Sequence, residues 1–326
     1  MSKLNKIGSI LDLGGMNLLL CKTEDVITGR KTTLDYLYKI LENANESDYP
    51  RLIKDMYKMY MGVNLRLSNP VDYNEKIQWL KLYDSTMEKT KLADKYLVRE
   101  WVKEKISEKY LIPLLGVYER FDDVRFDVLP SRFVLKCNHG SGMNAIVTDK
   151  SQFDLEKWRL TFQKWLAKNY AYVGLELHYK DIPPKIVCEE LIEEDIVDYR
   201  VYCFGGEPGF IKVTRHNSAT KGGYDSGFFY PDWKKCEFQM IQNYGELIIP
   251  KPQILDELLD VAKILAKDFS FVRTDFYIVN NKLLFSEMTF TPNSGYEQFS
   301  DPNAAIYYGS LINTGVGENK NGKGEH

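Results

Sequence analysis

From Tyr49 to Glu108 the apolar positions recur at three- and four-residue steps, the period of helices with one buried face. Leu52, Met56, Met59 and Tyr60 carry the first stretch, which a Ser68-Asn69-Pro70 break ends. Asn74 to Tyr83 sets Ile77, Leu80 and Leu82 near charged neighbours, and Asp94 to Lys105 places Leu97, Val98, Trp101 and Val102 on one side. Both are predicted amphipathic helices. The period then changes to that of strands, with short apolar runs at Tyr110–Leu115, Phe133–Lys136 and Ala145–Thr148. Leu155–Lys168 is predicted helical and Ile186–Ile192 a strand. Tyr199–Phe204 and Gly209–Val213 flank Gly205-Gly206-Glu207-Pro208, the turn of a hairpin. After a helix over Leu255–Lys267, Val272–Val279 and Leu283–Thr289 flank Asn280-Asn281, the best hairpin signal in the chain. Helices mixed with hairpins, without βαβ alternation, predict an α+β fold with antiparallel sheets.

Residues 1–45 carry scattered apolar clusters without a motif, and a short hairpin or appendage of no readable role is expected there. Residues 46–129 are mainly helical, and the Gly, Asn, Lys and Glu of 315–326 predict a frayed, disordered tail.

Lys+Arg number 43 against 46 Asp+Glu, a net charge of −3, which argues against a general nucleic-acid binder. The five cysteines show no C-x-x-C spacing and the four histidines no ligand spacing, so a zinc site is not expected and the thiols are read as free in a reducing cytosol. No apolar run is long enough for a membrane span. Lys3 and Lys6 before Leu11–Leu20 and Cys21 loosely suggest a lipoprotein signal, but Asp12 and Asn17 interrupt the run, so a cytoplasmic protein is expected.

The chemistry starts at the last hairpin. Alternation puts Arg273, Asp275 and Tyr277 on one face, with Phe276 and Ile278 on the other. On the return strand Glu287 and Thr289 share a face opposite Leu284 and Met288, and a three-residue connection sets Asp275 across from Glu287. Opposed carboxylates with Cβ atoms about 5 Å apart repel, so a cation is expected between them. Two acids and the Thr289 hydroxyl suit Mg²⁺, which keeps waters and shares substrate phosphates. The alternative is a solvated edge ribbon with Arg273 pairing both acids.

In FVLKCNHGSGMN, residues 133–144, a strand ends in Lys136 and enters a loop with Gly140, Ser141 and Gly142. Glycines let backbone N–H groups turn toward an anion, so the arrangement suits a phosphate, although glycine turns after strands are common. His139 is expected to be a loop or capping residue. In KIVCEELI, residues 185–192, Glu189 and Glu190 point to opposite sides and one faces inward. It suits an adenine amino group and ribose hydroxyls, or else marks a strand end turning to solvent before Glu193–Asp195. Lys95, in LADKYLVREWV, is by itself a solvated helix charge. Lys212, Arg215 and His216 in IKVTRH fit a carboxylate or phosphate, or an exposed basic strand end. Tyr224, Phe228, Phe229, Tyr230 and Trp233 fit a sugar platform or core packing.

Helix lysine, strand lysine with glycine loop, strand with paired acids, then a hairpin with Arg-x-Asp and a returning Glu: this order resembles the ATP-grasp superfamily. DYNEKIQWLKLYD, KLADKYLVREWV, FVLKCNHGSGMN, DYRVYCFGGEP and FSEMTFTPNSG resemble its TupA-like branch, named for teichuronopeptide synthesis, over roughly Asp72 to Ile312. The resemblance implies two α+β subdomains whose antiparallel sheets clamp ATP, a lid over 130–192 and a C-terminal subdomain with the Mg²⁺ hairpin over 193–314, preceded by a helical N-terminal region. It implies that Lys95 and Lys136 hold the phosphates under a loop of Gly140, Ser141, Gly142, Met143 and Asn144. Glu189 and Glu190, with the backbone around Leu191 and Ile192, would take adenine, and Asp198 the ribose. Asp275 and Glu287 match the Mg²⁺ carboxylates, with Thr289 where most members carry Asn, a poorer ligand that Asn293 or Ser294 would supplement. Arg273 and Lys136 would be catalytic, and Arg200, Lys212 and Arg215 would bind substrate.

The reaction implied is ATP-dependent carboxylate–amine ligation through an acyl phosphate, with Mg²⁺. A uronic acid of a surface glycan or its precursor would supply the carboxylate, small or glycan-linked, and an amino acid or amino alcohol the amine. A sugar kinase and a non-catalytic nucleotide binder stay open as alternatives.

Overall fold

A computed structural model describes residues 3–28, 32–192, 196–220, 223–241 and 244–316. The chain opens with six helices: α1 (Lys3–Thr28), α2 (Thr32–Glu42), α3 (Tyr49–Met61), α4 (Tyr73–Tyr83), α5 (Met87–Ala93) and α6 (Val98–Lys105). Where described, the first 45 residues are therefore helical rather than a hairpin. Leu37 and Leu41 of α2 join Leu52, Ile53 and Met56 of α3 in one core with Leu18 and Leu175. α4 starts sharply because Asp72 accepts from the Glu75 N–H while the Glu75 carboxylate accepts from the Asp72 N–H.

Strands β1 (Leu114–Tyr118), β2 (Phe133–Cys137), β3 (Asn144–Val147) and β4 (Ile186–Glu190) form an antiparallel sheet in the order β1-β4-β2-β3. Between β3 and β4 run α7 (Leu155–Leu166) and the single turn α8 (Ala171–Gly174). Phe162 of α7 packs into the core formed by Phe133, Leu135 and Ile186. A larger sheet, order β10-β9-β5-β6-β7-β8, contains β5 (Val197–Phe204), β6 (Glu207–His216), β7 (Tyr224–Phe229), β8 (Gly245–Glu246), β9 (Phe271–Val279) and β10 (Lys282–Thr289). All its neighbours are antiparallel except β7 and β8.

Two helices complete the fold, α9 (Leu255–Ala266) and α10 (Pro302–Ser310). α9 covers one face of the large sheet, where Leu258, Ala262 and Leu265 meet Val201, Ile211 and Val272. The opposite face is covered at one end only, by α4 and α10 over Tyr202, Phe204, Phe210 and Phe271. The rest of that face is left as the floor of a cleft. The fold is thus α+β with antiparallel sheets behind a helical N-terminal region, as the pattern predicts.

Several local expectations need correction. The first strand begins at Leu114, not Tyr110: Glu108–Tyr110 is a short 3-10 turn, and Pro113, which has no N–H to donate, precedes the first ladder pair. The helix expected from Asp94 starts only at Val98, because the Asp94 carboxylate accepts from the N–H groups of Tyr96 and Leu97 and holds that stretch as a turn. Lys95 therefore sits on a turn, not on a helix.

The final hairpin closes with two residues rather than three: Val279 pairs with Lys282, and Asn280 and Asn281 both take left-handed φ, at 51° and 56°. A bulge between Phe285 and Glu287 then supplies the extra residue, which restores the Asp275–Glu287 pairing. The two-residue turn also places Leu284 opposite Tyr277, so Leu284 lies on the same side as the acids rather than the far side. The described cysteines are all free, with Cys137, Cys188, Cys203 and Cys236 buried. The proposed tail beyond residue 316 and the acidic Glu193–Asp195 lie outside the described residues.

Candidate active site

Strand register builds the site. Glu287 on β10, Asp275 on β9, Arg200 on β5, Lys212 on β6 and Phe228 on β7 are successive cross-strand partners. One rung of the sheet thus runs acid, acid, base, base, aromatic. The next rung is Thr289, Arg273, Tyr202 and Phe210. On the other side, Tyr277, Asp198 and Thr214 form a third. A cleft of about 610 Å³ lies above these rungs, and Arg200, Lys212, Arg273, Glu287 and Thr289 reach it together with Ser141 of the glycine loop.

Arg273 forms a two-pronged pair with Asp275, Nε to Oδ1 at 2.7 Å and Nη2 to Oδ2 at 2.5 Å. The same Nη2 lies 3.6 Å from Glu287 and 3.1 Å from the Thr289 hydroxyl. On its other side Glu287 meets Lys95 Nζ at 3.0 Å. The opposed acids are therefore held together by cations of the chain itself. Burial pushes both carboxyls up; at Glu287, Lys95 and Arg273 outweigh it and hold the group down to about 2, whereas burial prevails at Asp275. Arg200 donates to Asp198 at 2.7 Å and lies 3.9 Å from Asp275. Lys212 is buried, with its ammonium 5.6 Å from the Phe228 ring centre and 5.5 Å from that of Tyr244. Burial brings it down to about 8, helped by Arg200 and Arg273 against Glu297.

The small sheet supplies the opposite wall. Gly140, Ser141 and Gly142 form the β2–β3 turn, which the Cys137 N–H closes on the Met143 carbonyl at 2.9 Å. A side chain at Gly140 would strike the Tyr170 ring at 2.4 Å, and Gly142 has a φ of +72°. Lys95 Nζ donates to the Gly140 carbonyl at 2.8 Å. One lysine therefore links the glycine turn to the acidic hairpin. Asn144 is exposed at the start of β3, and Met143 is buried.

The sequence does not foretell every partner. Lys136 meets the buried Glu189 at 2.6 Å, and Arg99 of α6 meets the other oxygen of the same carboxylate at 2.7 Å. Glu190 is exposed, so the inward acid of this pair is Glu189. Leu191 and Ile192 follow it half-buried. Arg215 departs from expectation: it pairs with Val197 and Asp225, three residues on from Lys212, and so belongs to the opposite face of the sheet. Phe228 and Phe229 are core residues, and Trp233 stacks on Phe229 at 4.5 Å.

Ser294, which with Asn293 is expected to supplement Thr289 at the cation, is tied into a polar cluster behind the cleft whose partners on α4 the sequence does not foretell. Asn293 and Ser294 take φ of 46° and 55° ahead of Gly295 at 72°, a run of left-handed residues that needs external support. α4 supplies it: Gln78 donates to the Ser294 and Gly295 carbonyls at 3.0 and 2.8 Å, and Lys81 to the Ser294 carbonyl and hydroxyl at 3.0 and 3.1 Å. Asn74 exchanges two hydrogen bonds with the Glu297 backbone. Glu176 accepts from the Thr291 hydroxyl. The available signal was the polar stripe Asn74, Gln78, Lys81, spaced by four and three along one side of α4.

The model of the family described as TupA-like ATPgrasp matches residues 75–313. The chain belongs to the TupA-like ATP-grasp family. No curated protein matches it. Among solved structures, D-alanine–D-alanine ligase from Bacillus anthracis is 18% identical over 68% of this chain, with a TM-score of 0.42, and the chain spans 65% of that ligase. The same ligase complexed with ATP is 13% identical over 92% of this chain and 90% of its own, also at 0.42. The ATP-grasp ligase PsnB, complexed with a phosphomimetic variant of its minimal precursor, Mg and ADP, is 12% identical over 83% of this chain and 65% of its own, at 0.38.

ATP-grasp enzymes use ATP and Mg²⁺, and the residues of this TupA-like chain fit both. Among the described residues no cluster of three or more His, Cys, Asp and Glu side chains could hold a metal unaided. A cation shared between Asp275, Glu287 and a triphosphate requires no such cluster. The fit is the facing acid pair, with Glu287 lining the cleft and Asp275 buried beside it under Arg273, opposite Ser141 of the glycine turn.

Proposed function

We propose that this protein is an ATP-dependent carboxylate–amine ligase that amidates a uronic acid of a surface glycan, or its precursor, with an amino acid or amino alcohol. The observation that carries the reading is the acid-acid-base-base rung of Glu287, Asp275, Arg200 and Lys212, of which Glu287, Arg200 and Lys212 line one cleft and Asp275 lies buried between them. The acids suit the nucleotide's Mg²⁺, which supplies charge neutralisation at the phosphates when bound. Arg200 and Lys212, immediately beside them, suit a carboxylate.

In this reading, residues 130–192 form a lid, and Lys95, Lys136 and the turn from Gly140 to Asn144 hold the triphosphate. Glu189, Glu190, Leu191 and Ile192 border the adenine, and Asp198 takes the ribose. Nucleotide binding requires Lys95 and Lys136 to exchange Glu287 and Glu189 for phosphate oxygens. Arg273, beside Asp275, stabilises charge on the transferring phosphoryl group. A substrate carboxylate oxygen attacks the γ-phosphorus and ADP leaves; the amine nitrogen then attacks the acyl carbon, phosphate leaves and the nitrogen loses a proton. Lid closure excludes water from the acyl phosphate. Among the described residues no helix is long and apolar enough to cross a membrane. The reaction we propose runs in the cytoplasm, where ATP is available.

Hydroxylamine trapping tests this. With ATP, Mg²⁺ and glucuronate or galacturonate, hydroxamate should accumulate. A phosphorylated sugar with no hydroxamate would instead identify a kinase, and no nucleotide binding at millimolar Mg²⁺ a non-catalytic protein.

A further inference from the structure

Residues before 75 lie outside the family match, yet they reach the cleft. Leu34 of α2 and Met56 and Tyr60 of α3 line the same space as Arg273 and Glu287. Leu34 is 48% exposed and Tyr60 38%. A single exposed apolar side chain needs no explanation. Two of them, with the buried Met56 between core and cleft, walling a cleft whose floor carries two arginines and a lysine, do.

The wall is held in place on both sides. α2 and α3 share the core of Leu37, Leu41, Leu52 and Ile53, and the Tyr38 hydroxyl accepts from the Asn169 N–H at 3.2 Å, next to α8. The Tyr60 ring lies 4.6 Å from that of Tyr296. Tyr296 follows the left-handed Asn293–Gly295 turn that Gln78 and Lys81 brace from behind. Helices from the N-terminal region therefore shape the end of the cleft that the acidic hairpin and the glycine turn leave open.

A ligand that satisfies this end must offer an anionic group to Arg200, Lys212 and Arg273 and an apolar face to Leu34 and Tyr60. A carboxylate borne on a pyranose ring has both, since the C–H face of the ring packs on an aromatic side chain while its substituents stay polar. We propose that α2 and α3 are the specificity wall of the organic-substrate site, recognising the ring face of a carboxylate-bearing sugar through Tyr60 and Leu34, which the buried Met56 backs. This rests on the ligase reading given above.

The test is steady-state hydroxamate formation from D-glucuronate, with ATP, Mg²⁺ and hydroxylamine, in wild type, Tyr60→Ala and Leu34→Asp. Both variants should raise the KM for glucuronate roughly tenfold, with kcat and the affinity for ATP changed by no more than about twofold. The two replacements guard against a folding artefact, because Leu34 is half-exposed and its change disturbs little core. A folded variant of either kind with an unchanged KM overturns the wall. Absence of hydroxamate in the wild type, with galacturonate as well as glucuronate, overturns the ligase reading and the wall together, and is distinguished by the failure of the unmodified protein.

Discussion

Lys95 Nζ stands 3.0 Å from the Glu287 carboxylate and 2.8 Å from the Gly140 carbonyl, so one side chain ties the acidic hairpin of the large sheet to the glycine turn of the small one. Both contacts are electrostatic and both are open to exchange for a phosphate. Lys95 thus bridges the two walls of the cleft at the point where the nucleotide is proposed to enter.

Lys95→Met should weaken ATP binding by about tenfold or more, because it removes a charge that meets a ligand carrying about four negative charges. Calorimetric titration with ATP and Mg²⁺ measures this. An unchanged affinity would remove Lys95 from the nucleotide end.

Glu287→Gln keeps the side-chain shape and deletes the charge. Turnover should fall to background, with a lower thermal midpoint in a chain that still folds, since Lys95 and Arg273 stabilise the ionised Glu287 in the folded state. Activity persisting in this variant would eliminate the proposed cation site.

Lys136→Ala leaves Glu189 with Arg99 as its remaining cation. We expect a loss of about 1–3 kcal/mol in urea denaturation, the cost of under-satisfying a buried carboxylate, together with weaker nucleotide binding. Stability loss with unchanged nucleotide affinity would make Lys136 structural only.

Strand alternation separates Lys212 from Arg215. Lys212→Ala should impair hydroxamate formation, and Arg215→Ala, on the far face, should leave it near the wild-type level. Equal effects would contradict the assignment of Lys212 to the substrate floor.

Lys81 gives a pH dependence. Burial, opposed by Glu176, lowers its amine from 10.5 to about 8. Between those values the unfolded chain binds more protons than the folded one at this group, so its contribution makes stability rise with pH across the window. Below about 8 the buried charge costs stability in full. Lys81→Met should reduce that slope when urea midpoints are compared from pH 7 to 10; identical slopes in both proteins would show that Lys81 does not titrate there.

The sheet class and the facing of Asp275 and Glu287 were readable because alternation and turn residues are local properties. The facing was nonetheless reached through two compensating differences, a two-residue turn for three and a bulge for strict alternation. Arg215 was misplaced by grouping residues three apart on a strand, which alternation sends to opposite faces. The braces on the Asn293–Gly295 turn were invisible because Lys81 and Ser294 lie 213 residues apart, and no local period records such a partnership. Arg99 and Glu189, 90 residues apart, were missed for the same reason.

The bulge before Glu287 sets how much length variation the ribbon can bear. In an uninterrupted ladder from the Asn280-Asn281 turn, Asp275 would oppose Ser286, and Glu287 would fall beside Thr274, aimed into the apolar layer under α9. Loss of one residue here would keep a well-formed ribbon while swinging the second acid into hydrocarbon. The ribbon's residue count is therefore as much a determinant of chemistry as the identity of the acids it carries.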